Sequence, residues 1–121
     1  MNKQTITFTT ASDGSAAETG HNAIGKLYAV EYQPGTTATG ATITLTCEGA
    51  GSKPLLTKAT AGTSVAWFYP RDLQHAVADG AALTGTAGGD RTLPILSGML
   101  KVTVASGGDT KTGKVIFDYE G

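Results

Sequence analysis

Thr42-Ile43-Thr44-Leu45-Thr46 alternates hydroxyl and apolar side chains without interruption. Because successive side chains of an extended strand point to opposite faces, the pattern places Ile43 and Leu45 on one face and the three threonines on the other. Thr5-Ile6-Thr7-Phe8-Thr9 has the same alternation near the start of the chain. Both stretches predict β-strands that bury one face and leave the other in contact with solvent or a partner.

Six further stretches combine strand-forming residues with flanking turn sequences. They are residues 26–33, 54–58, 65–69, 93–96, 99–105 and 112–119. Turns are predicted at Gln33-Pro34-Gly35 and at Ser106-Gly107-Gly108-Asp109, and the second turn predicts a hairpin between the last two strands. Residues 1–121 are therefore predicted to form a single all-β domain, a two-sheet β-sandwich or jelly-roll-like domain of about eight short strands with long loops.

The predicted core consists of bulky side chains that share a strand phase with apolar neighbours. These are Tyr28, Val30, Trp67, Tyr69, Val102, Val104, Phe117 and Tyr119, with Trp67 expected at the centre. Cys47 is the only cysteine and follows Ile43 and Leu45 in phase, so we expect it to be a small buried hydrophobe without a disulfide partner.

Three stretches do not fit a strand pattern: residues 11–22, 70–83 and 84–91. We expect them to form loops or arms, and the second has Pro70 and Gly80 at positions suited to opening and closing a short helical turn. Long loops in a small domain are usually functional, so residues 70–83 are predicted to contact another protein. An edge strand can add to a neighbouring sheet, so the strand that contains Thr5, Thr7 and Thr9 is also predicted to contact another protein. The predicted protein interface comprises Thr5, Thr7, Thr9, Pro70, Arg71, Asp72, Leu73 and His75.

The charge pattern argues against nucleic-acid and membrane binding. Nine basic and ten acidic residues give a formal net charge of −1, and no window concentrates Lys and Arg into a basic stripe that would neutralise phosphates. No stretch approaches the roughly 20 apolar residues that a membrane-spanning helix needs. The first residues lack the continuous apolar segment of a secretory signal, so we expect synthesis in the cytoplasm.

No motif in the sequence predicts catalysis. The segment from Gly108 to Lys114 has the spacing of a phosphate-binding loop, but Val115 follows where a magnesium-binding hydroxyl is needed, and the segment joins two predicted strands. His21 and His75 have no second histidine at the close spacing of zinc motifs. We therefore expect a protein that is not an enzyme, with no catalytic residue, cofactor or metal site.

Three stretches resemble the small capsid decoration, or cement, proteins of tailed bacteriophages. The first runs from Gly25 to Tyr32, and the second combines Phe68-Tyr69-Pro70-Arg71-Asp72 with Asp79-Gly80-Ala81-Ala82-Leu83. The third begins at Gly98-Met99-Leu100 and continues through Gly107-Gly108 to the C-terminal strand. The resemblance implies a virion protein on the capsid exterior, made in the host bacterial cytoplasm.

In that family the protein bridges neighbouring copies of the major capsid protein and commonly forms a dimer or trimer at a symmetry axis. Two other functions remain open from the sequence. One is a structural β-domain associated with the tail, neck or fibre of a phage. The other is a carbohydrate-binding module, against which the predicted burial of most aromatic residues counts, because it leaves few for an exposed sugar platform.

Overall fold

The computed structural model describes residues 2–49, 51–73 and 91–120. These residues form nine β-strands and no helix. The strands are β1 (Asn2–Thr9), β2 (Ala16–Gln33), β3 (Thr42–Glu48), β4 (Ser52–Lys58), β5 (Ala66–Phe68), β6 (Asp72–Leu73), β7 (Arg91–Thr92), β8 (Ile95–Ala105) and β9 (Thr112–Glu120). The prediction of an all-β protein is confirmed.

Seven of the strands belong to one antiparallel sheet in the order β1-β9-β2-β8-β3-β4, with β5 also paired to β2. The long strand β2 connects two halves of this sheet. Its first part pairs with β8 from Ala16 to Lys26, and its second part pairs with β9 from Lys26 to Gln33. The sheet is therefore continuous, and a division into two packed sheets stays a prediction.

One hydrophobic cluster joins the inner faces of the two halves. Phe8, Val30 and Phe117 contribute from the half that contains β1, β9 and the second part of β2, and Leu45 and Val102 contribute from the other half. Because this one cluster includes residues from both halves, the continuous sheet curves so that the apolar faces of its two halves pack together. Cys47 is buried in this cluster, as predicted.

The core prediction is right for five residues and wrong for two. Five of the predicted residues are buried: Val30, Val102, Val104, Phe117 and Tyr119. Trp67 and Tyr69 are instead 46% and 62% exposed. Residues 65–69 are all apolar, so alternation alone cannot tell which phase faces inward, and it is Phe68 that packs against the core. Tyr28 is partly buried and is not a member of the core cluster.

Two predicted boundaries are wrong. Residues 16–22, predicted within a loop, form the first part of β2. They pair with β8, and this pairing cannot be predicted from their polar sequence. The predicted strands at 93–96 and 99–105 are one strand, β8, because Gly98 continues the chain with a φ of 147°. Ladder pairing with Ala23 of β2 continues through this glycine, which explains why it does not end the strand.

The predicted hairpin between the last two strands is also wrong, because β2 lies between β8 and β9. The connection from Ala105 to Thr112 crosses the end of the sheet with positive φ at Ser106, Gly108 and Thr110. The amide of Gly107 donates to the carbonyl of Gly14, which ties this crossing to the turn before β2.

The predicted loop at residues 70–83 begins with the short ladder of β6 and β7, in which Asp72 pairs with Thr92 and Leu73 with Arg91. The helical turn predicted between Pro70 and Gly80 lies mainly outside the described residues.

Candidate protein interaction surfaces

The outer face of the half built from β1, β9, β2 and β5 is four strands wide. Directly paired residues of antiparallel strands share a face, so the register places Thr5, Ile116, Glu31 and Trp67 in one row across it. The predicted interface threonines Thr5, Thr7 and Thr9 are exposed on this face. The row that contains Thr5 ends at Trp67, which is predicted to lie in the core but is exposed in the structure.

Trp67 and Tyr69 form what we call the aromatic platform. Trp67 lies in β5 and Tyr69 directly follows this strand, with Phe68 between them packed against the core. Both Trp67 and Tyr69 are exposed, and an extended chain places them about 7 Å apart. Glu31 is the ladder partner of Trp67, and the side-chain amide of Gln33 donates a 3.0 Å hydrogen bond from Nε2 to Glu31 Oε2. A carboxylate and an amide are therefore fixed beside two exposed rings.

Ile24, Ile95 and Met99 form a second surface, which we call the aliphatic cluster. They are 73%, 54% and 43% exposed on the outer face of the half that contains β8. Ile24 pairs with Ser97, so Ile95 and Met99 are its two diagonal neighbours on the same face. The three side chains are close enough to present one apolar patch to a partner.

No family model, curated protein or solved structure matches the chain. The candidate functional residues are those that the geometry brings together, and most of them could not be recognised from the sequence. Ile24 lies next to a glycine, and Ile95 is followed directly by the buried Leu96. Where two apolar residues are adjacent, or a glycine interrupts the pattern, alternation does not show which side chain faces the core and which faces outward.

The predicted edge strand β1 is at the end of the strand order and pairs with β9 through a regular register. The Gln4 side chain links its other side to the first part of β2. Gln4 Oε1 accepts from the His21 amide at 3.0 Å, and Nε2 donates to the carbonyls of His21 and Asn22 and to the Tyr119 hydroxyl. β1 is thus less open to strand addition than its position in the order suggests.

The remaining predicted interface residues are distributed differently. Pro70 is buried in the structure, and its role as a contact residue stays a prediction. Arg71 is exposed and its Nη1 donates to the Tyr28 carbonyl at 3.0 Å. Asp72 and Leu73 belong to β6, and His75 lies outside the described residues.

Charged groups at the β1, β9 and β2 side of the sheet contact partners within the chain. Lys3 Nζ lies 2.7 Å from Asp118 Oδ1, and the Tyr28 hydroxyl donates to Glu120 Oε2 at 2.7 Å. The hydrogen bond and the negative charge of Glu120 raise the pKa of Tyr28, so this phenol stays neutral in the physiological range.

Within the described ranges, no three His, Cys, Asp or Glu side chains are grouped as metal ligands would be. None of the described segments is a helix with the length and apolar character needed to cross a membrane. An open cleft of about 380 Å³ lies beside the aromatic platform and is lined in part by Gln33, Val65 and Lys114. Its position beside exposed rings suits binding of an extended ligand across the outer face.

Proposed function

We propose that this chain is a structural virion protein that binds the outer surface of a phage capsid and stabilises the lattice of the major capsid protein. The aliphatic cluster is the observation that carries the proposal. The resemblance of three stretches to capsid decoration proteins agrees with it. Such a role requires a rigid body with a docking surface and needs no active site.

The aliphatic cluster has the chemistry of the centre of a protein interface. Full burial of an Ile or Met side chain contributes about 1.5 to 3 kcal/mol, and Ile24 has the most to gain because it is 73% exposed. Cores of protein interfaces are apolar and poor in charge. We propose that an apolar hollow of the capsid surface receives Ile24, Ile95 and Met99.

Docking of this kind gains strength from repetition. A modest contact made by each subunit adds up when a dimer or trimer engages several capsid subunits, because the second contact becomes intramolecular. A homo-oligomer on a symmetry axis of the virion exterior fits that requirement. The formal net charge is only −1, so we expect attachment to depend little on salt.

The rest of the outer face on the same half favours solvent contact. Thr44 and Thr46 on β3 are paired with Thr103 and Lys101 on β8, so hydroxyl and charged groups cover this region. Threonine is well suited to a wetted strand surface. The contrast between this region and the aliphatic cluster limits the apolar surface that this half exposes, in the described residues, to a patch around Ile24.

The test mixes purified protein with capsids that were assembled without it and counts bound copies by mass spectrometry. The wild type should saturate at a fixed copy number per shell. Ile24→Glu should bind at least about tenfold more weakly, because a buried unpaired charge costs several kcal/mol. Val65→Glu is the matched control, since it adds the same charge at another exposed aliphatic position, 58% exposed, on the other half.

Absence of saturable wild-type binding would remove the capsid proposal. If immunogold labelling of intact virions marks only the tail, the tail, neck or fibre function replaces it. Equal binding of Ile24→Glu and the wild type, with both proteins folded by circular dichroism, would move the docking surface away from the aliphatic cluster. In that case Thr7→Glu would test the predicted β1 interface.

A further inference from the structure

We propose that the aromatic platform of Trp67 and Tyr69 is a binding site for a neutral hexose ring of an oligosaccharide. The two rings are 46% and 62% exposed although each is a large, mostly apolar side chain. The objection from sequence to carbohydrate binding was that these aromatics would be buried. The exposure of both residues, two positions apart in the chain, removes that objection.

The platform can contact the apolar face of a sugar. Trp and Tyr combine a flat apolar body with a polar group, and a pyranose ring has C–H groups on one face and hydroxyls around its rim. With about 7 Å between Trp67 in β5 and Tyr69 just after it, one sugar ring can stack on Trp67 while the next residue of the glycan reaches Tyr69. Apolar stacking then supplies affinity without fixing which hexose binds.

Glu31 and Gln33 supply the hydrogen bonds that orient the ring. Glu31 is directly opposite Trp67 in the ladder, so its carboxylate lies at the rim of any ring stacked on the indole. The 3.0 Å hydrogen bond from Gln33 Nε2 holds one carboxylate oxygen and leaves the other free to accept from sugar hydroxyls. A carboxylate in this position favours neutral sugars, because it would repel an acidic one.

The same carboxylate argues against a protein as the occupant. A protein that covered Trp67 would have to bury Glu31 and pair it, whereas the centres of protein interfaces are depleted of charge. A sugar can satisfy the carboxylate with hydroxyls and leave it partly hydrated. The cleft lined by Gln33 and Val65 continues the site, so an oligosaccharide could extend beyond the platform.

This site is independent of the proposed capsid contact, since the aliphatic cluster lies on the other half of the sheet. A virion protein with both surfaces would be attached by one and display the other. Failure of either proposal leaves the other to be judged by its own measurement.

The experiment uses an array of neutral glucose, galactose, mannose and N-acetylglucosamine oligosaccharides, followed by fluorescence titration with each oligosaccharide that binds. Trp67 is the only tryptophan, so its emission reports stacking directly. At least one oligosaccharide should bind and shift the emission. Tyr69→Ala and Glu31→Gln, which keep the fluorophore, should each weaken binding about tenfold, and Trp67→Ala should weaken it at least as much.

Ile24→Ala is the control, and its glycan affinity should equal that of the wild type. No binding to any of these sugars at millimolar concentration would overturn the proposal. Binding that survives both Trp67→Ala and Tyr69→Ala would also overturn it, since the sugar would then lie elsewhere. If the folded Tyr69→Ala variant loses capsid attachment while the wild type binds no glycan, the platform is a protein interface.

Discussion

Tyr32 is the largest of the fully buried side chains, and its hydroxyl is the one polar side-chain atom buried without a hydrogen bond in the described part of the chain. Burial raises the pKa of Tyr32, and the nearby Thr37 hydroxyl only partly offsets this rise. An unsatisfied buried hydroxyl costs about 1 to 3 kcal/mol of desolvation. The ring therefore stabilises the core while the oxygen opposes it.

Replacing Tyr32 with Phe should leave the free energy of unfolding unchanged or raise it by up to about 1 kcal/mol, because the substitution removes the unpaired oxygen and keeps the ring. Urea denaturation of both proteins measures the difference. Destabilisation of more than about 1 kcal/mol would mean that the hydroxyl does have a partner, such as an ordered water.

At the scale of elements, a single side chain links β1 to the first part of β2. The hydrogen bonds of Gln4 reach His21 and Asn22, where the pairing of β2 with β8 is irregular between Thr19 and Asn22. The side-chain amide of Gln4 thus supplies backbone groups of β2 with the hydrogen bonds that a neighbouring strand would otherwise provide. Its hydrogen bonds lie at the junction where the two halves of the sheet approach each other.

Gln4→Ala should lower the free energy of unfolding by about 1 to 2 kcal/mol, because it leaves backbone groups of β2 without their partner. The His21 amide should also exchange faster with solvent, since it loses its acceptor. Hydrogen exchange followed by NMR and denaturant unfolding measure the two effects. Thr5→Ala, at the exposed next position, should change the stability by less than about 0.5 kcal/mol.

Gly98 lets β8 run unbroken beside β3. Its φ of 147° is unfavourable for any residue with a Cβ, and a Cβ there would collide with the carbonyl oxygen of Glu48. Gly98→Ala should therefore destabilise the protein by about 3 kcal/mol. Gly40→Ala, where a Cβ would meet nothing within 4 Å, should stay within about 0.5 kcal/mol of the wild type in the same thermal or denaturant unfolding assay. Equal effects at both positions would contradict this account.

The sequence predicts the strands that alternate and fails where long-range pairing decides. Ile43, Leu45 and Cys47 are buried in β3 as their alternation indicates. Residues 16–22 carry no such pattern, and only pairing with β8 makes them a strand. The exposed threonines of β1 could be predicted because they alternate with apolar residues, as in β3. The aromatic platform could not be predicted, because residues 65–69 are apolar at both the inward and the outward positions.

At the scale of the whole molecule, β2 makes the two halves depend on each other. Leu27 is fully buried where β2 changes partners, and its amide donates to the Pro94 carbonyl at 3.0 Å while Tyr119 of β9 is its ladder partner. Both surfaces are carried on this one strand and its neighbours. The spacing between the aliphatic cluster and the aromatic platform is therefore fixed by the same core that stabilises the fold.

A shared core predicts one unfolding transition. Trp67 emission reports the half that contains β5, and far-ultraviolet circular dichroism reports all strands, so the two curves should coincide in urea. Leu27→Ala should shift both curves together, by about 3 kcal/mol, because the cavity it leaves lies between the halves. If Trp67 emission changes at a lower urea concentration than the dichroism, the half with the platform unfolds separately, and the two surfaces are not held by one cooperative unit.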